Sequence, residues 1–450
     1  MRILHILSQR PGRSGSGIFL AAMVSQAARS GYEQHVIVAG PPGTSAAELP
    51  PLTAEQVSPI LFPSADAPFP LPGNSDVMPY PTTVFSRMTR LQIEQYLTVS
   101  RRVMEAVRAK FRPHVVHAHH LWLMTALARE VFADVPMLAS SHNAELRQMI
   151  KAPHLAPQVL PAAQAINKIC VLTPQSLSDT VERFGVDGDR IAVTGAGFDA
   201  ELFHFPTKPR AAITAELRAR FGVSLPEGEE TRLVTFVGRL SSPKGVPFLL
   251  DAATILEREA PPLRIVLVGA VGSGADGRQV NEMVAATGPL VIHLGAQPHE
   301  VVARILQVSA VFVLPSLFEG LPLTMLEALA CGCPVVVSAL PTVQSWMPKP
   351  WQQGGLIELV PALATTHADE PVASDVPRFV ADLAAALKRQ LTHQRATESR
   401  RILSERLRPH SWAEVFKRYE RVYREIVGGE LTPDRHPSRV PEKVILGGAS

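Results

Sequence analysis

Four stretches of this 450-residue chain carry side chains suited to holding a charged ligand or moving a group. The first is Ser14-Gly15-Ser16-Gly17, between an apolar run and a helical pattern. Glycines there let backbone N–H groups approach a phosphate, and a helix N-terminus favours negative charge. The same residues also suit a plain tight turn. The second is TFVGRLSSPKG (235–245): a strand ends at Gly238, and Arg239 and Lys244 project from the loop ahead of a helix. Two cations at a helix start form a clamp for a diphosphate; the alternative is a pair of solvated surface charges. The third runs from Ser316 to Glu327. Glu319 closes a loop, Pro322 can begin a helix, and Glu327 lies inside the apolar LPLTMLEALACG. A lone carboxylate there is costly without partners. The vicinal hydroxyls of a ribose would serve, as would a buried cation. Glu319 is placed to reach another part of the same ligand or to cap the helix.

The fourth stretch is rich in histidine. His117, His119 and His120 end the run VVHAHH, and His142-Asn143 end the next, ASSHNAE. Alternation sends His117 and His119 to one face and His120 to the other. Each is read as a general base, a hydroxyl-binding donor or a core histidine. A zinc site would need a third ligand that no motif supplies, and Cys331-Gly332-Cys333 lacks partners in the same way. Asp187-Gly188-Asp189 fits an Asp-x-Asp metal pattern but falls between a helix and a strand, where Asp and Gly are turn residues. A dinucleotide fingerprint fails: Leu20 stands where the third glycine should, and the second strand ends VIVAGPP without an acid.

The elements that must position these residues are short apolar runs alternating with helical patterns, the mark of parallel sheets covered by helices. Strands are expected at 2–7, 35–39, 115–120, 136–140, 168–172 and 190–194. Helices are expected at 18–30, along Ile93 to Phe111, and near 175–184. After a polar, proline-bearing stretch the pattern restarts, with strands at 232–238, 263–268, 290–294, 310–314 and 334–338. The expected architecture is α/β, two doubly wound domains facing across a cleft at the carboxyl ends of their sheets. Their bounds are 1–207 and 208–410, followed by 411–450, an aromatic-bearing amphipathic helix and a polar tail read as disordered.

Composition narrows the classes. Forty-four Lys and Arg against 41 Asp and Glu leave +3, too balanced for a dedicated nucleic-acid binder. Three cysteines make no disulfide framework and read as free thiols of a reducing compartment. The start has no long apolar core, and Leu321–Val343 is interrupted by Glu327 and prolines. A soluble, cytoplasmic protein without membrane insertion is expected. Proline is in excess, 40 residues against an average share of roughly 5%. Eleven fall in 41–81 and six in 341–377, and both stretches are read as loops on the ligand side of a sheet.

Taken together, VGRLSSPKG (237–245) and FEGLPLTMLEALACGCPVVVS (318–338), with its two glutamates eight residues apart, resemble the retaining glycosyltransferases of the GT-B fold, family 4 (glycosyl transferases group 1). The resemblance spans roughly 1–205 and 225–427. The glycine turn, the strand-end histidines, GAGFDAELF (195–203) and the tryptophan helix near 412 are weaker echoes of the family. It implies a nucleoside-diphosphate sugar as co-substrate, UDP-, GDP- or ADP-linked in the family and UDP or GDP preferred here, with no cofactor and no metal. It implies that Arg239 and Lys244 hold the donor diphosphate, Glu319 the sugar hydroxyls and Glu327 the ribose. His119 would lie near the transferred sugar and Gly17 near the phosphate. Ser16, Gly238, Gly320 and Leu321 complete the donor set, and His120, His142 and Asn143 face the acceptor. Ser16-Gly17 stands where the family has Gly-Gly, and Gly195-Ala-Gly-Phe-Asp199 where Pro-Asn-Gly-Val-Asp is common. In this fold the N-terminal domain holds the acceptor, so loop 41–81 is expected to shape acceptor choice, toward a small soluble molecule rather than a lipid. No nucleophile stands out, which favours a front-face retaining route. The alternatives are a GT-B epimerase or phosphorylase, or a nucleotide-sugar-binding protein without turnover.

Overall fold

The computed structural model describes residues 1–428 apart from 13, 76, 77, 79, 227, 229, 260, 273, 354, 367–369 and 393–395. The expected disordered tail lies outside the described residues. Two parallel sheets organise the chain. The first holds β1 (Arg2–Leu7), β2 (Glu33–Gly40), β3 (Val57–Leu61), β4 (Val115–His119), β5 (Met137–Ser140), β6 (Lys168–Val171) and β7 (Ile191–Val193), in the order β3-β2-β1-β4-β5-β6-β7. The second holds β8 (Arg232–Val237), β9 (Leu263–Val268), β10 (Val291–His293), β11 (Val311–Leu314), β12 (Val335–Ser338) and β13 (Ile357–Val360), in the order β10-β9-β8-β11-β12-β13. Both start in the middle, wind one way and then the other, so each has its switch point between its first and fourth strands. The inner strands are buried on both faces, which is why they read as unbroken apolar runs.

Two expectations need correction. Stretch 41–81 is not simply a loop: Val57–Leu61 adds an edge strand to the first sheet, with Pro59 opposite Val38. Proline is tolerated because an edge strand leaves one side of its backbone unpaired. The rest of the stretch folds as a lobe whose Phe62, Phe69, Leu71 and Met78 are buried against Tyr96 and neighbouring core residues. Likewise 341–377 contains a helix at Pro341–Trp346 and the edge strand β13. A proline count marks edges and helix starts as readily as loops, and here it marks all three.

Helix α1 (Gly15–Arg29) follows β1 and buries Phe19, Leu20, Met23 and Val24 on the first sheet. Helix α2 (Arg90–Phe111) opens with a capping box between Thr89 and Gln92. Residues 195–205 lead to the second sheet. Helix α3 (Ala144–Lys151) follows β5 and α4 (Leu323–Ala330) follows β11, and past the second sheet the chain returns as α5 (Trp412–Val427). Helix α5 packs back on the first sheet. The Tyr419 hydroxyl lies 3.0 Å from Ser140 Oγ and accepts from Thr194 Oγ1 at 2.9 Å. Tyr423 meets His117 Nδ1 at 2.8 Å, and Lys168 pairs with Glu425 at 3.0 Å. At the crossing, Phe198 N–H donates to the His410 carbonyl (3.2 Å) and Trp412 N–H to the Phe198 carbonyl (3.0 Å). A Cβ on Gly197 would meet His410 and Trp412 within 3.0 Å, so the two segments touch only because that residue is glycine. No described helix is long and apolar enough to cross a membrane.

Candidate active site

The carboxyl end of β8 carries Arg239, and a short turn, Ser242–Lys244, brings Lys244 back toward the loop after β11. The two loops are stitched together where Leu317 N–H donates to the Pro243 carbonyl at 2.9 Å, and Ser242 N–H is held separately by Asp276, of the helix after β9, at 3.1 Å. Gly245 makes this possible. Its φ is +76, and a Cβ there would collide with the Pro315 carbonyl. As a result Lys244 Nζ lies 2.6 Å from Glu319 Oε1, which also accepts from Ser316 Oγ at 2.7 Å. The Glu319 carbonyl accepts from Thr342 Oγ1 at 2.9 Å. Burial lowers the Arg239 guanidinium from its usual value, while Tyr80 and Glu319 favour its charge.

The opposite wall is assembled at the switch point of the first sheet. His5 on β1 is register partner of His117 on β4. Behind the wall the rings form a ladder: His117 and His119 stack at 4.3 Å, and His119 and His142 at 5.6 Å. Burial pushes His5 down to about 4 and His117 and His119 well below the ordinary imidazole value, so the ladder is neutral. His5, His117 and His119 bring ring nitrogens within 4.8 Å of one another, supplying the third histidine that no motif announced. Their stacked rings and the two hydrogen bonds already made by His117, to Tyr423 and Ser140, are those of a core cluster.

Between the walls lies a cavity of about 180 Å³. From the first domain Ser14, Gly15, Ser16, Asn74, His120 and His142 line it; from the second come Arg239, Lys244, Glu319, Gly320 and Leu321. A neighbouring cavity of about 470 Å³ shares Glu319 and is bounded by Asn143, Arg147 and Phe318 among others. The domains approach closely at Gly320, where a Cβ would stand 3.2 Å from the His142 carbonyl and 3.4 Å from Asn143 Cβ.

Residues 13–202 match the family described as Glycosyltransferase Family 4, and residues 219–358 match Glycosyl transferases group 1. The chain belongs to glycosyltransferase family 4. Among its relatives is the D-inositol 3-phosphate glycosyltransferase of Corynebacterium aurimucosum, 26% identical over 345 residues, covering 72% of this chain and 74% of that protein. Among solved structures, this family 4 chain is similar to sucrose-phosphate synthase from Thermosynechococcus elongatus, with a TM-score of 0.65 and 20% identity over 95% of this chain and 99% of that one. It is also similar to Anabaena HepE in complex with UDP and glucose, with a TM-score of 0.60 and 15% identity over 94% and 100%. The two sheets and the cleft are those of the GT-B fold.

Within this family 4 transferase, not every residue singled out by sequence reaches the cavity wall. Ser16, His120, His142, Arg239, Lys244, Glu319, Gly320 and Leu321 do. His119 stands behind His142, 1% exposed, its Nδ1 3.4 Å from His142 Nε2. Gly17 is used internally: its N–H donates to the Ser14 cap, and the space of its missing side chain is filled by the backbone of Arg10 to Gly12. Gly15 is the open glycine of that turn. Gly238 precedes Arg239 and donates its N–H to the Val268 carbonyl. Asn143 lines the neighbouring cavity, with φ +67 and both amide atoms buried without partners among the described residues. Glu327 lies in α4, 5% exposed, and no hydrogen bond to its carboxylate occurs among the described residues. Burial pushes it up to about 8. Glu145 was missed from sequence. It is fully buried, 3.2 Å from His120 Nδ1, and accepts from His142 N–H at 3.0 Å. A glutamate in the first turn of a helix reads as a cap, and that second bond is a cap; nothing in the sequence announces the first.

Proposed function

We propose that the chain moves a sugar, with retention at the anomeric carbon, from a nucleoside-diphosphate sugar, UDP- or GDP-linked, to a small soluble acceptor such as a sugar, cyclitol, thiol or natural product. The observation that carries this reading is the convergence of Arg239, Lys244 and Glu319 with Ser16, His120 and His142 around one inter-domain cavity. Departure of the diphosphate leaves negative charge on its oxygens. Arg239, Lys244 and the open amides of the α1 turn are fixed where that charge develops, and such preorganisation is usually the largest catalytic contribution. Glu319 sits at the other end of the Lys244 pair, where it would accept hydrogen bonds from sugar hydroxyls and orient the anomeric carbon. Among the described residues at the cleft no carboxylate stands free to form a covalent intermediate: Glu319 is bound to Lys244, and Glu145 to His120. The acceptor oxygen would therefore bond to the anomeric carbon on the face that the phosphate leaves. The C–O electron pair goes to the phosphate, which takes the acceptor proton. The two cations supply the charge neutralisation that a metal gives elsewhere, so the reading needs none.

The relative named for D-inositol 3-phosphate supports a small polyol acceptor, and the solved neighbour holding UDP and glucose supports a UDP-sugar donor. The three cysteines, buried as free thiols, suit a cytoplasmic site of action. Thermal unfolding with UDP, GDP and ADP tests the donor side. Saturation at about a hundred times Kd adds about 2.7 kcal/mol of stability, and UDP or GDP is expected to give it. A donor-hydrolysis screen follows, with the anomer of the product read by NMR. An inverted product, or no response to any nucleotide, would sink the reading.

A further inference from the structure

We propose that Gln9 donates a hydrogen bond from its side-chain amide to the terminal phosphate of the departing nucleoside diphosphate, and that Ser14 and Ser16 hold that amide in place. The inference rests on the transferase reading and deepens its donor side. Gln9 follows β1 in the wall of the inter-domain cavity and is 3% exposed. Its Oε1 accepts from Ser14 Oγ at 3.1 Å and from Ser16 Oγ at 3.2 Å, which uses both lone pairs of the carbonyl oxygen. The two hydroxyls stand 3.2 Å apart, and Ser14 Oγ also accepts the Gly17 N–H at 3.2 Å. A planar carboxamide pinned by its oxygen has its nitrogen fixed as well. Nε2 donates to no described residue, and it is not among the sealed polar atoms that lack a partner, so it opens on the space beside it. For a side chain this enclosed, that space is the cavity.

The neighbours of Gln9 point to an oxyanion as its partner. Gly15 and Ser16 open α1, and the first N–H groups of a helix have no partner within it. Gly17, whose amide the resemblance puts near the phosphate, gives its N–H to Ser14 instead, and the backbone of Arg10 to Gly12 fills the space beside it. The Gln9 amide, tied to the same turn, supplies the donor that Gly17 does not. Ser16 makes this possible: the glycine common there in the family would leave Oε1 one hydroxyl short. Across the cavity stand Arg239 and Lys244. Cations on one side, with amide donors and a helix N-terminus on the other, complement negative oxygen. On the proposed function the nucleotide is held from the C-terminal wall, so the phosphate within reach of both walls is the terminal one, at the bond that breaks. The C–O electron pair is left there. Gln9 meets the growing charge and gives up no proton; the acceptor proton still goes to the phosphate.

The test uses the full chain, with UDP, UMP, GDP and GMP as calorimetric probes and UDP-glucose and GDP-mannose as donors for hydrolysis. Gln9→Met keeps the length of the side chain and removes its N–H groups. Gln9→Glu keeps an acceptor for both serines and turns the atom that faces the cavity into an oxygen. For the diphosphate that the parent binds, Gln9→Met should weaken affinity about tenfold or more, as a hydrogen bond to a charged group implies. The matching monophosphate should change by less than about twofold, and hydrolysis should slow by about tenfold or more. Gln9→Glu should weaken the diphosphate further. Ser16→Ala, which frees the amide to turn, should give a diphosphate-to-monophosphate affinity ratio between those of the parent and Gln9→Met. In ¹⁵N-glutamine spectra the NH₂ signals assigned to Gln9 by their loss in Q9M should shift with the diphosphate and stay in place with the monophosphate. The proposal is overturned by an affinity ratio that Gln9→Met leaves unmoved, including equal loss for both nucleotides, or by a Gln9→Glu variant that behaves as the parent. A Ser16→Ala ratio equal to the parent's, or NH₂ signals that ignore the diphosphate, overturns it too. If the parent binds none of these nucleotides and hydrolyses neither donor, the transferase reading itself fails; an active parent with an unmoved ratio removes only the role of Gln9.

Discussion

On the C-terminal wall of the cleft the polar side chains are charged and come from two stretches, 239–244 and 319–323. On the N-terminal wall they are hydroxyls, two amides and imidazoles drawn from four separate places, around residues 9–16, 74–75, 120 and 142. Burial lowers His142 and the histidines stacked behind it, which disfavours their charged forms near neutral pH. Its one buried anion, Glu145, is covered by His120. On the proposed function, the difference follows from what each wall would meet. A diphosphate is bound by charge, which tolerates some freedom in position; hydroxyls are bound by single hydrogen bonds, which do not. A charged loop of a few residues can form the first kind of wall, whereas the second has to be built from the ends of several strands.

The largest effect expected from this contrast belongs to Lys244. Lys244→Ala should reduce turnover by about 10²–10³, in donor hydrolysis and transfer alike, because the charge on the leaving group appears in both. Steady-state kinetics with an unchanged circular dichroism spectrum would show it. A neutral-wall change such as His142→Gln should affect hydrolysis far less, and an equal loss in both variants would break the contrast.

Glu327 tests it from another side, as an acid buried in α4 outside the cavity wall. Burial holds it at about 8 against an ordinary 4.5, so the folded chain keeps a proton that the unfolded chain releases. This group favours the folded state fully below about pH 4.5, and that contribution is lost as pH rises through about 8. Glu327→Gln removes the dependence. Its unfolding temperature should gain on the parent steadily between pH 5 and pH 8.5, by the equivalent of a few kcal/mol at 1.36 kcal/mol per unit. Parallel curves would show that the carboxyl is ionised and partnered. A bound nucleotide whose ribose donates to it should narrow the gap, and E327Q should bind UDP or GDP more weakly by calorimetry.

How much of this was legible follows the same division. The parallel strands were readable because inner strands are continuous apolar runs, and the switch points follow from their order. Arg239, Lys244 and Glu319 were readable because each sits within a few residues of a strand end, so local sequence places them. The edge strand Val57–Leu61 was hidden by Pro59, which an edge tolerates, and Ile357–Val360 by its short length within a proline-bearing stretch. Glu145 was hidden because its partner, His120, is 25 residues away on another element, a distance that only the pairing of β4 with β5 closes. His119 and His120 differ by one residue, yet the turn in the backbone at His120 sends one ring into the core and the other to the cavity, and alternation alone does not say which side the ligand takes.

The smallest effect concerns the proline-rich lobe. Removing residues 44–78 would delete β3 together with Phe62, Phe69 and Leu71 from the core, so a deletion reports on folding rather than on acceptor choice. Asn74 offers a finer probe. It lines the cavity, its Nδ2 donates to Ser8 Oγ at 3.1 Å, its carbonyl accepts from Gln148 Nε2 at 3.0 Å, and its Oδ1 is buried with no partner among the described residues. Asn74→Ala leaves the backbone bond to Gln148 intact and removes one neutral hydrogen-bonding group, an effect of about 0.5–1.5 kcal/mol. If the lobe serves the neutral wall, acceptor KM should rise by roughly 2- to 12-fold, as that energy implies. Calorimetric affinity for UDP or GDP should change less. An equal loss of nucleotide affinity would place Asn74 with the charged wall instead, and acceptor selection would then rest on the histidine side of the cavity alone.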